Sequence, residues 1–149
     1  MVNREPLSSL ISILEQEDDK FIPVLEKIIK AGIKIINNAE ELHEELSGYD
    51  DIYQTSVLDV GYNYWLDVLE GKLSYQKGFN PKATFRVSYT KILIIKILKG
   101  EISGTDAFMK GQLRVEGDLS QGLHYVKIFR LFVEYLKKKN GMNLVNRTK

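Results

Sequence analysis

Cysteine is absent from the 149 residues, which excludes disulfides, thiolate metal sites and a cysteine nucleophile. With no thiol to read, the redox compartment is left open. Long apolar runs are also missing. The most apolar stretch, Ile92 to Leu98, is too short to span a bilayer and is interrupted by Lys96. Net charge is only +1, so no basic excess argues for nucleic acid and no acidic tail is present. Histidine is scarce, with His43 and His124 far apart and neither at motif spacing from a serine or a carboxylate partner. Glycines are dispersed and form no phosphate loop. The one stretch that suggests a di-metal helix motif, Glu40-Glu41-Leu42-His43, occurs once where such a site needs two copies. A solvated acidic face with Glu44 and Glu45 explains it. Catalytic, metal-binding and cofactor-binding residues are therefore expected to be absent.

What is present is the material of one ordinary domain. A chain of this length buries roughly two thirds of its unfolded surface and needs no staples. The opening residues, MVNREPLSSL, lack the basic region and long apolar core of a signal peptide. The closing Asn-Arg-Thr-Lys is not the peroxisomal Ser-Lys-Leu address. A cytoplasmic protein is the expectation. Charge is unevenly spread: −6 over residues 1–50, +1 over 51–118 and +6 over 119–149. Two solvated helix faces account for this most simply. The alternatives are steering to an anionic surface, where Lys137, Lys138 and Lys139 would act, or pairing of two chains.

Apolar periodicity predicts a first helix over 5–17 through Leu7, Leu10, Ile11 and Leu14. A second is predicted from residue 20 or 21 to Leu46, with Pro23 in its first turn and Gly32 and Asn37-Asn38 weakening its middle. From Tyr53 the rhythm becomes that of strands: 53–60, 64–70, 72–78 and 83–88, with turns at Gly61-Tyr62-Asn63 and Glu70-Gly71. Ser88 offers a cap to a helix over 89–99 that ends at Gly100.

The stretch from Gly104 to Asp118 is the most informative. Ser103 caps a short helix through Ala107, Phe108 and Met109, and Gly111 stops it in the left-handed conformation. Leu113 and Val115 then alternate with Gln112, Arg114 and Glu116 as a one-faced strand. Asp118, with Gln121 three residues on, offers a capping box to a final helix from Leu119 to about Lys139. An α+β domain follows, a sheet with one face covered by helices.

The words Ala107-Phe108-Met109-Lys110-Gly111-Gln112-Leu113-Arg114-Val115-Glu116-Gly117-Asp118 resemble the signature of the sterol-carrier-protein-2 (SCP2) family of lipid-binding domains. The resemblance covers roughly residues 50–137. It takes in the strand meander, Trp65-Leu66, Ala83-Thr84-Phe85 and the Leu-Lys-Gly-Glu-Ile-Ser link at 98–103. It implies a five-stranded sheet packed on helices around an apolar tunnel that holds a lipid tail: fatty acid, acyl-CoA, phospholipid or sterol. It implies no catalysis. The division expected is a helical segment over 1–48 and an SCP2-like domain over 49–149, forming one compact unit. Many relatives carry glutamine where Lys110 stands, and the first fifty residues exceed the single leading helix the family suggests.

A carrier needs apolar side chains facing a void, with a few polar groups at its mouth. The lining expected from this pattern comes from Phe85 and Val87, from Ile92, Ile95 and Leu98, and from Phe108 and Met109. Leu113 and Val115 would form the floor, and Leu123, Val126, Phe129 and Val133 the lid. Lys110 is the headgroup candidate. Gly122, costly near a helix start, suggests a close approach by backbone or ligand. The function expected is non-enzymatic binding and transfer of a lipid or fatty acyl ligand, by a monomer or weak homodimer with transient membrane contact. The alternative is an interaction module, a detached subunit presenting lipid to a partner enzyme or membrane assembly. A hydrolase or isomerase acting on acyl chains ranks last for want of a nucleophile or base.

Overall fold

The computed structural model describes residues 6–139. Helix α1 (Leu7–Gln16) leads through a 3-10 turn (Asp18–Lys20) into α2 (Phe21–Asn37), and α3 (Glu40–Leu46) follows. The sheet then begins with β1 (Asp50–Val57), β2 (Tyr62–Leu69), β3 (Lys72–Lys77) and β4 (Phe85–Tyr89). Helices α4 (Lys91–Leu98) and α5 (Gly104–Met109), strand β5 (Arg114–Gly117) and the long α6 (Leu119–Lys139) complete the chain. The strands form one sheet in the order β3-β2-β1-β4-β5. β1 runs parallel to β4, and every other pairing is antiparallel.

One face of this sheet is covered. Tyr53, Thr55 and Val57 of β1 are buried, level with Leu66, Tyr64 and Tyr62 of β2 and with Phe85, Val87 and Tyr89 of β4. The helices pack on this side, and their apolar faces join it in one core that runs from Leu7 to Leu136. The opposite face carries polar residues such as Ser74, Gln76, Arg86 and Glu116. The predicted α+β architecture is the one observed.

Helix boundaries follow local chemistry. The predicted second helix breaks after Asn37, whose side chain donates to the Leu73 carbonyl and accepts from the Leu73 N–H, both at 2.9 Å. One amide thus satisfies two backbone groups of β3 from the last residue of the helix. Gly32, by contrast, does not break α2. It is buried inside the helix, and a Cβ there would lie 1.9 Å from the Phe132 ring of α6. Its missing side chain lets the two helices close on each other. Ser103 caps α5 as predicted, accepting from the Asp106 N–H at 2.9 Å, and Gly100 and Gly111 follow their helices at φ +82° and +74°.

Two predicted caps differ. α4 starts two residues later than a Ser88 cap would set it, with Thr90 at its cap and no side-chain bond. Asp118 accepts from the Ser120 N–H, but Gln121 does not close a capping box. Its Oε1 accepts from Thr84 at 2.6 Å and ties α6 to the entry of β4. Gly122 sits against the Phe85 ring, where a Cβ would come within 3.0 Å, so the close approach expected there is made by an aromatic of the sheet.

The charge asymmetry is consumed in part within the fold. Glu45 pairs with Lys127 at 2.5 Å and Glu41 accepts from Tyr135 at 2.9 Å, joining α3 to α6. Glu15 pairs with Lys99, and Asp18 with Lys91. These contacts are exposed and individually weak. Together they set the acidic early helices against basic later ones.

Candidate functional site

Between the covered face of the sheet and the helices lies an apolar cavity of about 40 Å³. Helix α2 gives it Leu25, Ile28, Ile29 and Ile33, one stripe at helical spacing. The sheet gives Tyr64, Leu66, Leu73 and Tyr89, and α4 gives Ile94 and Leu98. Helix α6 closes it with Tyr125, Ile128, Phe129 and Phe132. No charged residue lines it, and the three tyrosines carry its only polar side-chain atoms.

Two of the closing aromatics rest on glycines. Phe132 lies on Gly32 of α2, and Phe129 lies on Gly104 of α5, where a Cβ would meet the ring at 2.8 Å. The two rings stack loosely, 6.4 Å between centroids, and Tyr125 continues the row at 5.9 Å from Phe129. α6 is therefore held by aromatic packing on its cavity side and by the polar ties to α3 beside it. Near its start, His124 Nδ1 lies 2.7 Å from Asp51, which also accepts from the Tyr53 hydroxyl at 2.8 Å. The His124 ring stacks on Tyr49 with 3.7 Å between centroids. Asp51 is only 6% exposed, so these contacts anchor α6 to β1.

Of the lining expected from sequence, Leu98 and Phe129 border this cavity. Phe85, Val87, Ile95 and Leu113 are buried but pack elsewhere in the core, Phe85 against Tyr53 and Tyr125. Phe108, Val115, Val126 and Val133 are half-buried. Ile92, Met109 and Leu123 face solvent at 62%, 75% and 58% exposure, and Lys110 is exposed at the end of α5. The structure does not bring Met109, Lys110 and the cavity wall together. What sequence reading missed is the tyrosine content of the covered face. The alternation of Tyr62 with Tyr64, and the placing of Tyr75 and Tyr89 on the same faces of their strands, was its visible signal.

Burial pushes the phenols of this face up. Tyr53, Tyr62, Tyr64, Tyr89 and Tyr125 all lie above the ordinary phenol range, and Tyr75 is pushed up to about 12. Desolvation is the leading cause in each case. For Tyr53 the neighbouring Asp51 adds to it, and for Tyr62 and Tyr75 their hydrogen bond and Glu26 intervene. An unfolded chain releases these protons near pH ~10. The stability gained by keeping the phenols neutral is thus complete below that pH and lost as pH rises through the folded-state values. An ultraviolet titration is expected to show most of the eight tyrosines ionising only together with alkaline unfolding. Ionisation of Tyr64, Tyr89 and Tyr125 near pH ~10 in an intact fold would contradict their burial.

A mixed five-stranded sheet, covered on one face by helices that close over an apolar cavity, defines the class of domain. A family model, the SCP-2 sterol transfer family, matches residues 32–130, well over half of the chain, and the protein belongs to that family. A search of curated protein sequences finds no significant match. Among solved structures, sterol carrier protein 2 is similar with TM-score 0.61 and 16% identity, over 74% of this chain and 94% of that one. A conserved hypothetical protein from Thermus thermophilus, suggested to be a sterol carrier protein, gives TM-score 0.60 and 16% identity over 76% and 86%. The ubiquinone synthesis protein UbiJ-SCP2 gives 0.57 and 16% over 75% and 93%. A double mutant of the sec-alkyl sulfatase PisA1 is similar with TM-score 0.50 and 22% identity over 59% of this chain, which spans only 14% of that longer protein. At these identities the likeness is one of fold. Among the described residues no helix is long and apolar enough to cross a membrane, and no cluster of three or more His, Asp or Glu could hold a metal ion.

Proposed function

We propose that the protein binds the apolar tail of a lipid between its sheet and its helices and transfers it without catalysis. The observation that carries this reading is the wholly uncharged cavity beneath α6, in a chain of the SCP-2 sterol transfer family. Each methylene moved from water into such a site contributes about 0.8 kcal/mol. At about 40 Å³ the cavity has room for only a few waters and is far smaller than an alkyl chain. Uptake therefore requires the lining to part. The element that opens is α6, swinging from its anchor at His124 and Asp51, because it contributes the two aromatics that rest on glycine and its ties to α3 lie at the surface.

The test is transfer of labelled lipids of different headgroups between donor and acceptor vesicles. The rate is expected to rise with protein concentration when the protein is added alone. Uptake of lipid without transfer, unless a second protein is supplied, would favour the presenting subunit over the carrier. Neither uptake nor transfer of any lipid would end the reading.

A further inference from the structure

The covered face of the sheet holds a group of buried hydroxyls beside the cavity. Tyr64 of β2 and Tyr89 of β4 line the cavity from either side of β1, and their hydroxyls lie 3.0 Å apart. Tyr125 lines it from α6. Thr55 of β1, level with Tyr64 in the register, neighbours the Tyr64 and Tyr125 hydroxyls. Its own hydroxyl is fully buried and makes no hydrogen bond of good geometry. A buried unpartnered hydroxyl is uncommon in a folded protein and calls for a reason. Thr55 itself does not line the cavity, but the Tyr64 and Tyr125 side chains it neighbours do, and the space they border has room for another oxygen.

We propose that Thr55, Tyr64, Tyr89 and Tyr125 form the polar end of the ligand site, selecting a lipid whose headgroup is an uncharged hydroxyl or carbonyl. The inference rests on the lipid-binding reading and narrows it. Each of the four groups can donate one proton and accept another, and the one hydrogen bond between Tyr64 and Tyr89 leaves the cluster, Thr55 above all, with unused capacity. An alcohol or carbonyl oxygen entering the cluster supplies the missing partner. A carboxylate or phosphate meets a different balance, since no cation lines the cavity to offset its desolvation. Burial keeps the three phenols protonated well above neutral pH, so they remain donors at any physiological pH. Lys110, the headgroup candidate within the family motif, stands outside this cavity.

The experiment compares three probes of equal chain length on the delipidated protein at pH ~8, where the acid is ionised: tetradecanol, tetradecanoate and tetradecane. Bound radiolabelled probe is read by co-elution with wild type, Thr55→Val and Tyr89→Phe. Tetradecanol is expected to bind about tenfold more tightly than tetradecanoate. Each variant should weaken tetradecanol about fivefold and leave tetradecane unchanged. Thr55→Val, which removes only the unpartnered hydroxyl at nearly constant shape, should melt no lower than wild type and so report on binding alone. Preference for tetradecanoate, or variants that shift all three probes in parallel, would overturn the hydroxyl site while leaving lipid binding intact. Failure of the wild type to take up any of the three would overturn both.

Discussion

Ile128→Trp is expected to lower lipid affinity at least about tenfold while the protein keeps its fold. Ile128 is buried on α6 and faces the cavity opposite the isoleucines of α2. An indole at that position occupies the about 40 Å³ of space and stiffens the wall that must part. Overpacking of this kind costs about 1–3 kcal/mol, which a domain of this size tolerates. Met109→Trp is the matched control. The family resemblance alone sets Met109 in the lining, where tryptophan would exclude ligand. The structure sets it at 75% exposure and outside the cavity, so the control should bind as wild type does. Affinities measured on both variants, with circular dichroism to verify folding, separate the two placements. Exclusion by Met109→Trp and not by Ile128→Trp would move the site to the far side of α5.

The second large effect concerns the joint between α2 and α6. Gly32→Ala should destabilise the protein by about 1–3 kcal/mol, although alanine is the better helix former by about 1 kcal/mol. The cause is the Phe132 ring, 1.9 Å from where the new methyl would stand. In a Phe132→Ala background the clash is gone and only the propensity remains. There Gly32→Ala should stabilise by about 1 kcal/mol. The reversal of sign, read from denaturant melts of the four proteins, is the diagnostic. The same destabilisation in both backgrounds would show that the glycine serves the backbone of α2 and not its contact with α6.

Much of the fold is legible because its signals are local. The run from Ser103 to Asp118 places a cap, a left-handed glycine and a one-faced strand within sixteen residues, and the structure keeps the order of all three. The aromatic and β-branched residues at Tyr53, Thr55 and Val57 and at Tyr62 and Tyr64 recur every second position, so the inward face can be read there even where the strand ends cannot. β1 begins at Asp50 and not at Tyr53, because its first residues pair with Leu69 and Val68 across a hairpin that alternation alone does not time.

The cavity is less legible, for a physical reason. A period of 2 or 3.6 tells which face of an element is apolar, but not which members of that face border empty space. Phe85 and Ile95 satisfy the pattern as well as Leu98 does, yet they fill the core beside the void. Helix α2 supplies four of the lining residues although the resemblance begins only near residue 50, so its isoleucine stripe reads as plain core from sequence. The hydroxyl cluster is harder still. Thr55, Tyr64, Tyr89 and Tyr125 are scattered over seventy residues, and only the sheet register and the return of α6 across it bring them together.

The most direct test of lipid binding is native mass spectrometry of the purified protein, followed by denaturing extraction of whatever is bound. A single added mass per chain that extracts as a lipid, and that is missing from Ile128→Trp, is the expected result. A bare chain mass that stays bare after incubation with alcohols, acids and phospholipids would contradict it.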